Sequence, residues 1–244
     1  MKGKYADLHL LPNPRDLELV SKIADKALQL GYRIIGVTLP QNFATNEIKN
    51  LENVCKEKGV DFASRVDLTP KNPNELTRDL RRLRRKFELI AVICKSKSVA
   101  RQAAKDRRVD LLNFPSVHVR ERFFDKAEAE LASKALASLE IDIKPLLTLE
   151  GSTRVRLLHN LRREAATAID YNVPIVLSSG VSDEKLMRKP LDQASLGFLF
   201  DLDESSAIKA VSKNPTAIVE RNREKLSPNF VAPGIRVIRG GKDC

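Results

Sequence analysis

Seven short apolar runs alternate with amphipathic segments along most of the chain. This alternation constrains the fold more than any other feature. Each run is too apolar to face water on either side, so it belongs in a sheet covered on both faces. The runs are Tyr5–Leu10, Arg33–Leu39, Val60–Leu68, Leu89–Cys94, Val109–Phe114, Glu140–Leu147 and Pro174–Ser178. Helix-start signals stand between them. Asn13-Pro14-Arg15-Asp16 and Asn72-Pro73-Asn74-Glu75 each offer Asn as N-cap, Pro at the first helical position and an acid in the first turn. The intervening helices are expected from Leu17 to Gly31, over Ala44–Lys58, from Asn72 to Lys86, and over Val99–Asp106, Phe123–Leu139 and Ser152–Asp170. Helices then dominate, over Asp183–Met187, Pro190–Phe200, Glu204–Ser212 and Asn214–Leu226.

Repeated strand–helix units predict an α/β fold with a parallel sheet. At this length a TIM-barrel-like (β/α) barrel is favoured over an open doubly wound sheet, because no Gly-rich dinucleotide fingerprint follows any strand. Leu196–Leu202 is the only candidate for an eighth strand and also reads as helix. The barrel is therefore expected to be irregular, with seven clear strands and extra C-terminal helices. No linker interrupts residues 1–226, which predicts one domain. Residues 227–244 form a basic tail containing Pro and Gly, expected to be mobile apart from a short strand at Ile235–Ile238.

Charge narrows the partners. The 244 residues include 43 Lys and Arg against 32 Asp and Glu, a net charge of +11. A globular chain this basic points to a polyanion, with nucleic acid first and an anionic membrane surface as the competitor. No apolar core marks the N-terminus as a signal peptide, and the longest uncharged stretch, Ile34 to Asn46, is short and holds Pro40. Cys55, Cys94 and Cys244 have neither zinc-ligand spacing nor a disulfide pattern, so a cytoplasmic location is expected.

The clearest basic feature lies on the third helix. Leu76, Leu80, Leu83 and Phe87 form one apolar stripe, and Arg78, Arg81, Arg82 and Arg85 fall opposite it. Residues 78–86 hold six cations and one anion, and like charges at these spacings do not stabilise a helix. A nucleic-acid backbone is one reading, and a solvated outer face is the other. Arg154 and Arg156 open the helix after the sixth strand, with Arg154 in the first turn, where the helix dipole disfavours a cation. Arg188 and Lys189 follow the seventh strand. In a parallel barrel both groups are expected on neighbouring parts of the C-terminal rim. Arg108 completes the set of candidate RNA- or partner-binding residues.

Catalytic signals are sparse. No Gly-x-Ser-x-Gly elbow, P-loop or Cys–His pairing is present. Asp7 and His9 close the first strand and, two residues apart, are expected on one side of it, with Asp67 as the best further ligand. His118 and His159 lie in a loop and on an outward helix face, so no full metal-ligand set is expected. Satisfaction of Asp7 and His9 by each other or by nearby backbone groups at the barrel mouth is the favoured reading. Ser178-Ser179-Gly180 would suit either a phosphate or a tight turn. With no Trp, contacts to RNA are expected to be mostly to phosphates.

Several segments, taken in order, are similar to one family, ribonuclease P protein component 3. They are Tyr5–Leu10, Leu30–Gly36, Asp106–Phe114, Glu140–Ile143, Arg154–Leu158, Pro174–Gly180, Leu186–Leu191 and Ser212–Asn222. The absence of a long tail resembles the archaeal members. The resemblance implies a barrel subunit of the enzyme that removes the 5′ leader from precursor tRNA, whose RNA supplies the catalytic centre. It implies as partners ribonuclease P RNA, protein component 2 in a heteromer such as a heterotetramer, the other protein subunits, and precursor tRNA. It implies no cofactor on the chain itself and Mg2+ for the holoenzyme RNA. The implied fold is similar to the polymerase-and-histidinol-phosphatase-type barrels, metal-dependent hydrolases that open with His-x-His. Here His9 stands at the first place and Leu11 at the second, which leaves Asp7 and His9 as vestigial metal candidates. The alternative is a stand-alone metal-dependent phosphoesterase on that barrel.

Overall fold

The computed structural model describes residues 4–232 and 235–236. Seven strands, β1 (Tyr5–Leu10), β2 (Tyr32–Thr38), β3 (Asp61–Leu68), β4 (Leu89–Ile93), β5 (Leu111–Asn113), β6 (Ser138–Asp142) and β7 (Ile175–Ser178), form one parallel sheet in chain order. It is a TIM-barrel-like α/β barrel, nearly closed. Between β7 and β1 the ladder reduces to a single bridge, Leu10 with Val181, and two flanking hydrogen bonds. Gly180 N–H donates to the His9 carbonyl at 2.9 Å, and Leu11 N–H to the Val181 carbonyl at 2.8 Å.

Ten helices surround this sheet among the described residues: α1 (Leu17–Leu30), α2 (Thr45–Glu57), α3 (Pro73–Leu83), α4 (Lys97–Lys105), α5 (Lys126–Ala135), α6 (Lys144–Thr148), α7 (Gly151–Asp170), α8 (Pro190–Ser195), α9 (Glu204–Val211) and α10 (Lys213–Leu226). Local chemistry starts them. The side chains of Asp16, Asn72, Ser96, Asp125 and Asp203 each accept a backbone N–H of the helix they cap. Alternate strand residues feed two apolar layers. Leu10, Ile35, Val66, Val92 and Leu177 pack against the helices, while Ala6, Leu8, Ile34, Ala63, Leu89 and Val176 fill the barrel.

Helix α10 plugs the N-terminal end of the barrel. Ile218 and Val219 join the inner apolar layer. Around them Asn222 donates to the Glu88 carbonyl at 2.8 Å, and Arg223 pairs with Asp61 and Glu88. Arg221 pairs with Asp110 at 3.0 Å. All these partners stand at strand starts.

Several sequence expectations are corrected, among them the cap of α1, which is Asp16 and not Asn13. Leu196–Phe200 is a 3₁₀ helix, so no eighth strand forms there. The sixth strand lies at Ser138–Asp142 rather than Glu140–Leu147, because Leu136 ends α5 in the left-handed conformation and Pro145 begins α6. The fifth strand shrinks to Leu111–Asn113, and the helix expected over Phe123–Leu139 to Lys126–Ala135. Helix α3 stops at Leu83, because Arg84 folds back to close the next turn and donates to the carbonyls of Phe87, Glu88 and Arg108 and to Asp110. Beyond α10, β8 (Phe230–Ala232) and β9 (Ile235–Arg236) pair antiparallel. The rest of the tail expectation, Cys244 included, lies outside the described residues. No helix among the described residues is long and apolar enough to cross a membrane.

Candidate functional site

The C-terminal ends of the strands converge on one polar cluster. Leu8 and His9 both face the interior, because the register between β1 and β2 slips between Asp7 and Leu10. The bulge also turns the Leu8 carbonyl inward. Gly36 of β2 makes room for it, since a Cβ there would lie 2.4 Å from that oxygen. Arg65 of β3, fully buried, donates from Nη1 to the same carbonyl at 2.9 Å.

Arg65 is the hub. It donates to Glu140 Oε1 at 2.5 Å and Oε2 at 2.7 Å, and from Nε to Asp67 Oδ1 at 2.7 Å. Such bidentate pairs are the strong form of guanidinium–carboxylate bonding. Asn113 Nδ2 donates to Glu140 Oε2 at 3.0 Å and Asp142 Oδ2 at 2.9 Å. Ser178 Oγ donates to Glu140 Oε1 at 2.8 Å. His9 bonds through Nδ1 to Asp142 Oδ1 at 2.7 Å, while its Nε2 lies 3.1 Å from Asp67 Oδ2 without hydrogen-bond alignment. Burial and the Arg65 charge oppose protonation of His9, but the Asp142 and Asp67 carboxylates outweigh them and raise its pKa to about 10. Asp67 remains ionised. Burial alone would raise its pKa, but Arg65 and His9 hold it below the usual carboxylate range.

One ligand atom each from His9, Glu140 and Asp142 lies within 4.8 Å of the other two, the spacing of a metal-ligand set. With Arg65 in place these residues do not fit a divalent ion. Both oxygens of Glu140 already accept hydrogen bonds, from Arg65, Asn113 and Ser178, and Asp142 is bonded to His9 Nδ1 and Asn113. Asp7, the other vestigial candidate, faces away from this cluster. Its carboxylate accepts from the N–H and Oγ of Ser179, and Ser179 Oγ also meets Gln193 of α8. The expected common face for Asp7 and His9 is thus overturned by the bulge. The Ser178-Ser179-Gly180 donors serve Glu140, Asp7 and the His9 carbonyl, so they form a closing turn and no phosphate cradle.

The basic candidates sort by what they touch. Arg78, Arg81, Arg82 and Arg85 are exposed. Arg82 meets Asp79 at 3.2 Å and Gln41 at 2.6 Å, and Arg78 only approaches Glu75 at 3.8 Å and Asp79 at 4.0 Å. Arg81 and Arg85 have no ion pair or hydrogen bond among the described residues. Arg108 is held by both oxygens of Asp106, at 2.8 and 2.6 Å. Arg154 is exposed in the first turns of α7, and Arg156 bonds Ser152 one turn back. A groove of about 810 Å³ runs between residues 117–121 and α7, lined by Val119, Val155, Arg156 and His159.

Arg188 and Lys189 do not share that rim. The Arg188 carbonyl accepts from Tyr32 Oη at 3.1 Å, and Lys189 lines a hollow with Tyr5, Arg33 and Asp61, all at strand starts. After β7 the chain makes only the short 3₁₀ turn Glu184–Leu186 before Pro190 begins α8, and it descends the barrel wall in between. Sequence reasoning found His9 and Asp67 but not Arg65, Asn113, Glu140 or Asp142, and it read Ser178 only as part of a phosphate loop or tight turn. The available signal was charge at alternate positions in apolar strands, Arg65-x-Asp67 and Glu140-x-Asp142.

A family model described as RNase P subunit p30 matches residues 4–227. Ribonuclease P protein component 3 of Methanosarcina barkeri is 30% identical over 245 residues, covering 98% of both chains. That of Methanothermobacter thermautotrophicus is 24% identical over 240 residues, covering 96% of each. Among solved structures, a chain of a cryo-EM structure of archaeal ribonuclease P with mature tRNA has a TM-score of 0.82 at 20% identity, covering 97% of this chain and 100% of that one. An amidohydrolase from Mycoplasma synoviae shares the fold at a TM-score of 0.55 and 13% identity, covering 89% of this chain and 87% of that one.

Proposed function

The chain belongs to the RNase P subunit p30 family, and on that premise we propose that it is a non-catalytic protein subunit of ribonuclease P. It binds the catalytic RNA and a partner protein, component 2, in an assembly that removes the 5′ leader from precursor tRNA in the cytoplasm. Mg2+ in this reading serves the RNA. Residues 1–226 act as one barrel domain carrying the basic tail.

The observation that carries the reading is how the arginines divide. Arg65, Arg84, Arg122, Arg221 and Arg223 are consumed by internal carboxylates. Those on the outer face of α3 stay exposed, and Arg81 and Arg85 engage nothing among the described residues. A net charge of +11 is therefore displayed on the surface, where it can replace counterions on an RNA backbone. The barrel mouth argues against the phosphoesterase alternative, because its carboxylates are saturated by Arg65, Asn113, Ser178 and His9.

Reconstitution tests the proposal. Precursor-tRNA cleavage by the RNA with the other protein subunits is expected to rise when this chain is added. The chain alone is expected to leave precursor tRNA intact. Cleavage by the purified chain that disappears in His9→Ala would sink the non-catalytic assignment.

A further inference from the structure

The barrel mouth brings His9, Glu140 and Asp142 to the spacing of a divalent-cation site, and a guanidinium of the same protein grips one of the three. We propose that Arg65 is a built-in counterion occupying a latent site formed by His9, Glu140 and Asp142. Removing its guanidinium converts the mouth into a site for a divalent transition-metal ion.

Three observations carry this. The first is position. Arg65 is fully buried, and its guanidinium spans Glu140, Asp67 and the Leu8 carbonyl, in a walled space that a small side chain would leave vacant. The second is charge. Arg65 sets a permanent positive charge against the carboxylates of Asp67 and Glu140, with that of Asp142 beside them. Without a cation there the carboxylates would repel one another at high cost, and a bound dication would answer that need. The third is donor chemistry. One imidazole nitrogen and two carboxylates within 4.8 Å of each other suit Mn2+ or Zn2+. Asn113 and Ser178 already bond the same carboxylates and would orient them as outer partners. The site's chemistry does not depend on whether the surface arginines bind RNA.

The test is titration of full-length, chelator-treated protein with Mn2+, read by the free-Mn2+ EPR signal and by thermal unfolding. The wild-type chain is expected to take up no stoichiometric Mn2+. Arg65→Ser is expected to bind one equivalent, and its Tm to rise by roughly 5–10 °C at a concentration about 100 times Kd. Adding Glu140→Gln to that variant should abolish both responses. If Arg65→Ser is unfolded without metal, Mn2+ is expected to restore a cooperative melt. A folded Arg65→Ser indifferent to Mn2+, or an unfolded one that Mn2+ does not rescue, would overturn the proposal. So would one equivalent of Mn2+ on the wild-type chain that is lost in His9→Ala.

Discussion

Asp7 and His9 stand two residues apart in β1 yet face opposite sides of the sheet, because the bulge at Leu8–His9 places two consecutive side chains inside the barrel. The two residues consequently have separate tasks. His9 belongs to the polar cluster at the mouth. Asp7 closes the seam between β1 and β7, where no eighth strand supplies a ladder, by accepting from Ser179 and from the His9 N–H.

That division predicts a contrast at Asp7. Asp7→Ala leaves buried donors of Ser179 and His9 unpaired and should cost about 2–4 kcal/mol. Asp7→Asn keeps the acceptor for both N–H groups and should cost no more than about 1 kcal/mol. Burial already raises the Asp7 pKa to about 6, so the negative charge is a burden rather than an asset there. Denaturant midpoints for the two variants check this. Equal losses would show that the charge itself holds the seam.

A second buried carboxylate makes stability fall as pH rises. Glu128 of α5 is fully buried, with only Oε2 bonded, to Arg101 at 2.9 Å. Burial raises its pKa from 4.5 to about 8, against the pull of Arg101. A raised folded-state pKa means the native chain holds the proton more tightly than the unfolded chain. The stabilisation is complete below pH 4.5 and is lost as pH climbs towards 8. Glu128→Gln should flatten the dependence of unfolding free energy on pH between 4.5 and 8. An unchanged slope in that variant would remove Glu128 as its source.

Arg154 and Arg188 belong to different ends of the barrel, so their effects should be independent. Arg154 is exposed, and its change to Ala should alter stability by no more than about 0.5 kcal/mol, whereas Arg188 is half-buried and bonds the Lys185 and Met187 carbonyls, so its change should cost about 1 kcal/mol. In reconstituted precursor-tRNA cleavage the double variant should lose what the single variants lose together, to within about 0.5 kcal/mol of transition-state free energy. A coupling well above that value would mean that one ligand touches both.

The parts of this fold written in short-range chemistry were legible. The cap at Asn72, the α3 stripe Leu76-Leu80-Leu83-Phe87 and the apolar strands follow from neighbours in sequence, whereas the cap of α1 falls at Asp16 and not at the expected Asn13. The parts set by distant partners were not. A helix continuing past Ala135 satisfies local propensity, and only the pairing of Ser138 with Leu111 places the strand there. Arg65 and Glu140 each look like a surface residue until β3 and β6 are brought across the barrel, 75 positions apart in sequence. The descent that carries Lys189 to the strand starts depends on Tyr32 and on the missing eighth strand, neither visible from residues 179–190 alone.

If the exposed arginines of α3 and of the turn after it meet RNA phosphates, the salt dependence of binding will show it. The slope of log affinity against log salt should be steep for the wild-type chain on ribonuclease P RNA. It should flatten by roughly 0.7–0.9 for each phosphate no longer neutralised when Arg78, Arg81, Arg82 and Arg85 are all changed to Gln. A slope that stays at the wild-type value in the folded fourfold variant would refute RNA binding through α3 and leave this face as solvated surface.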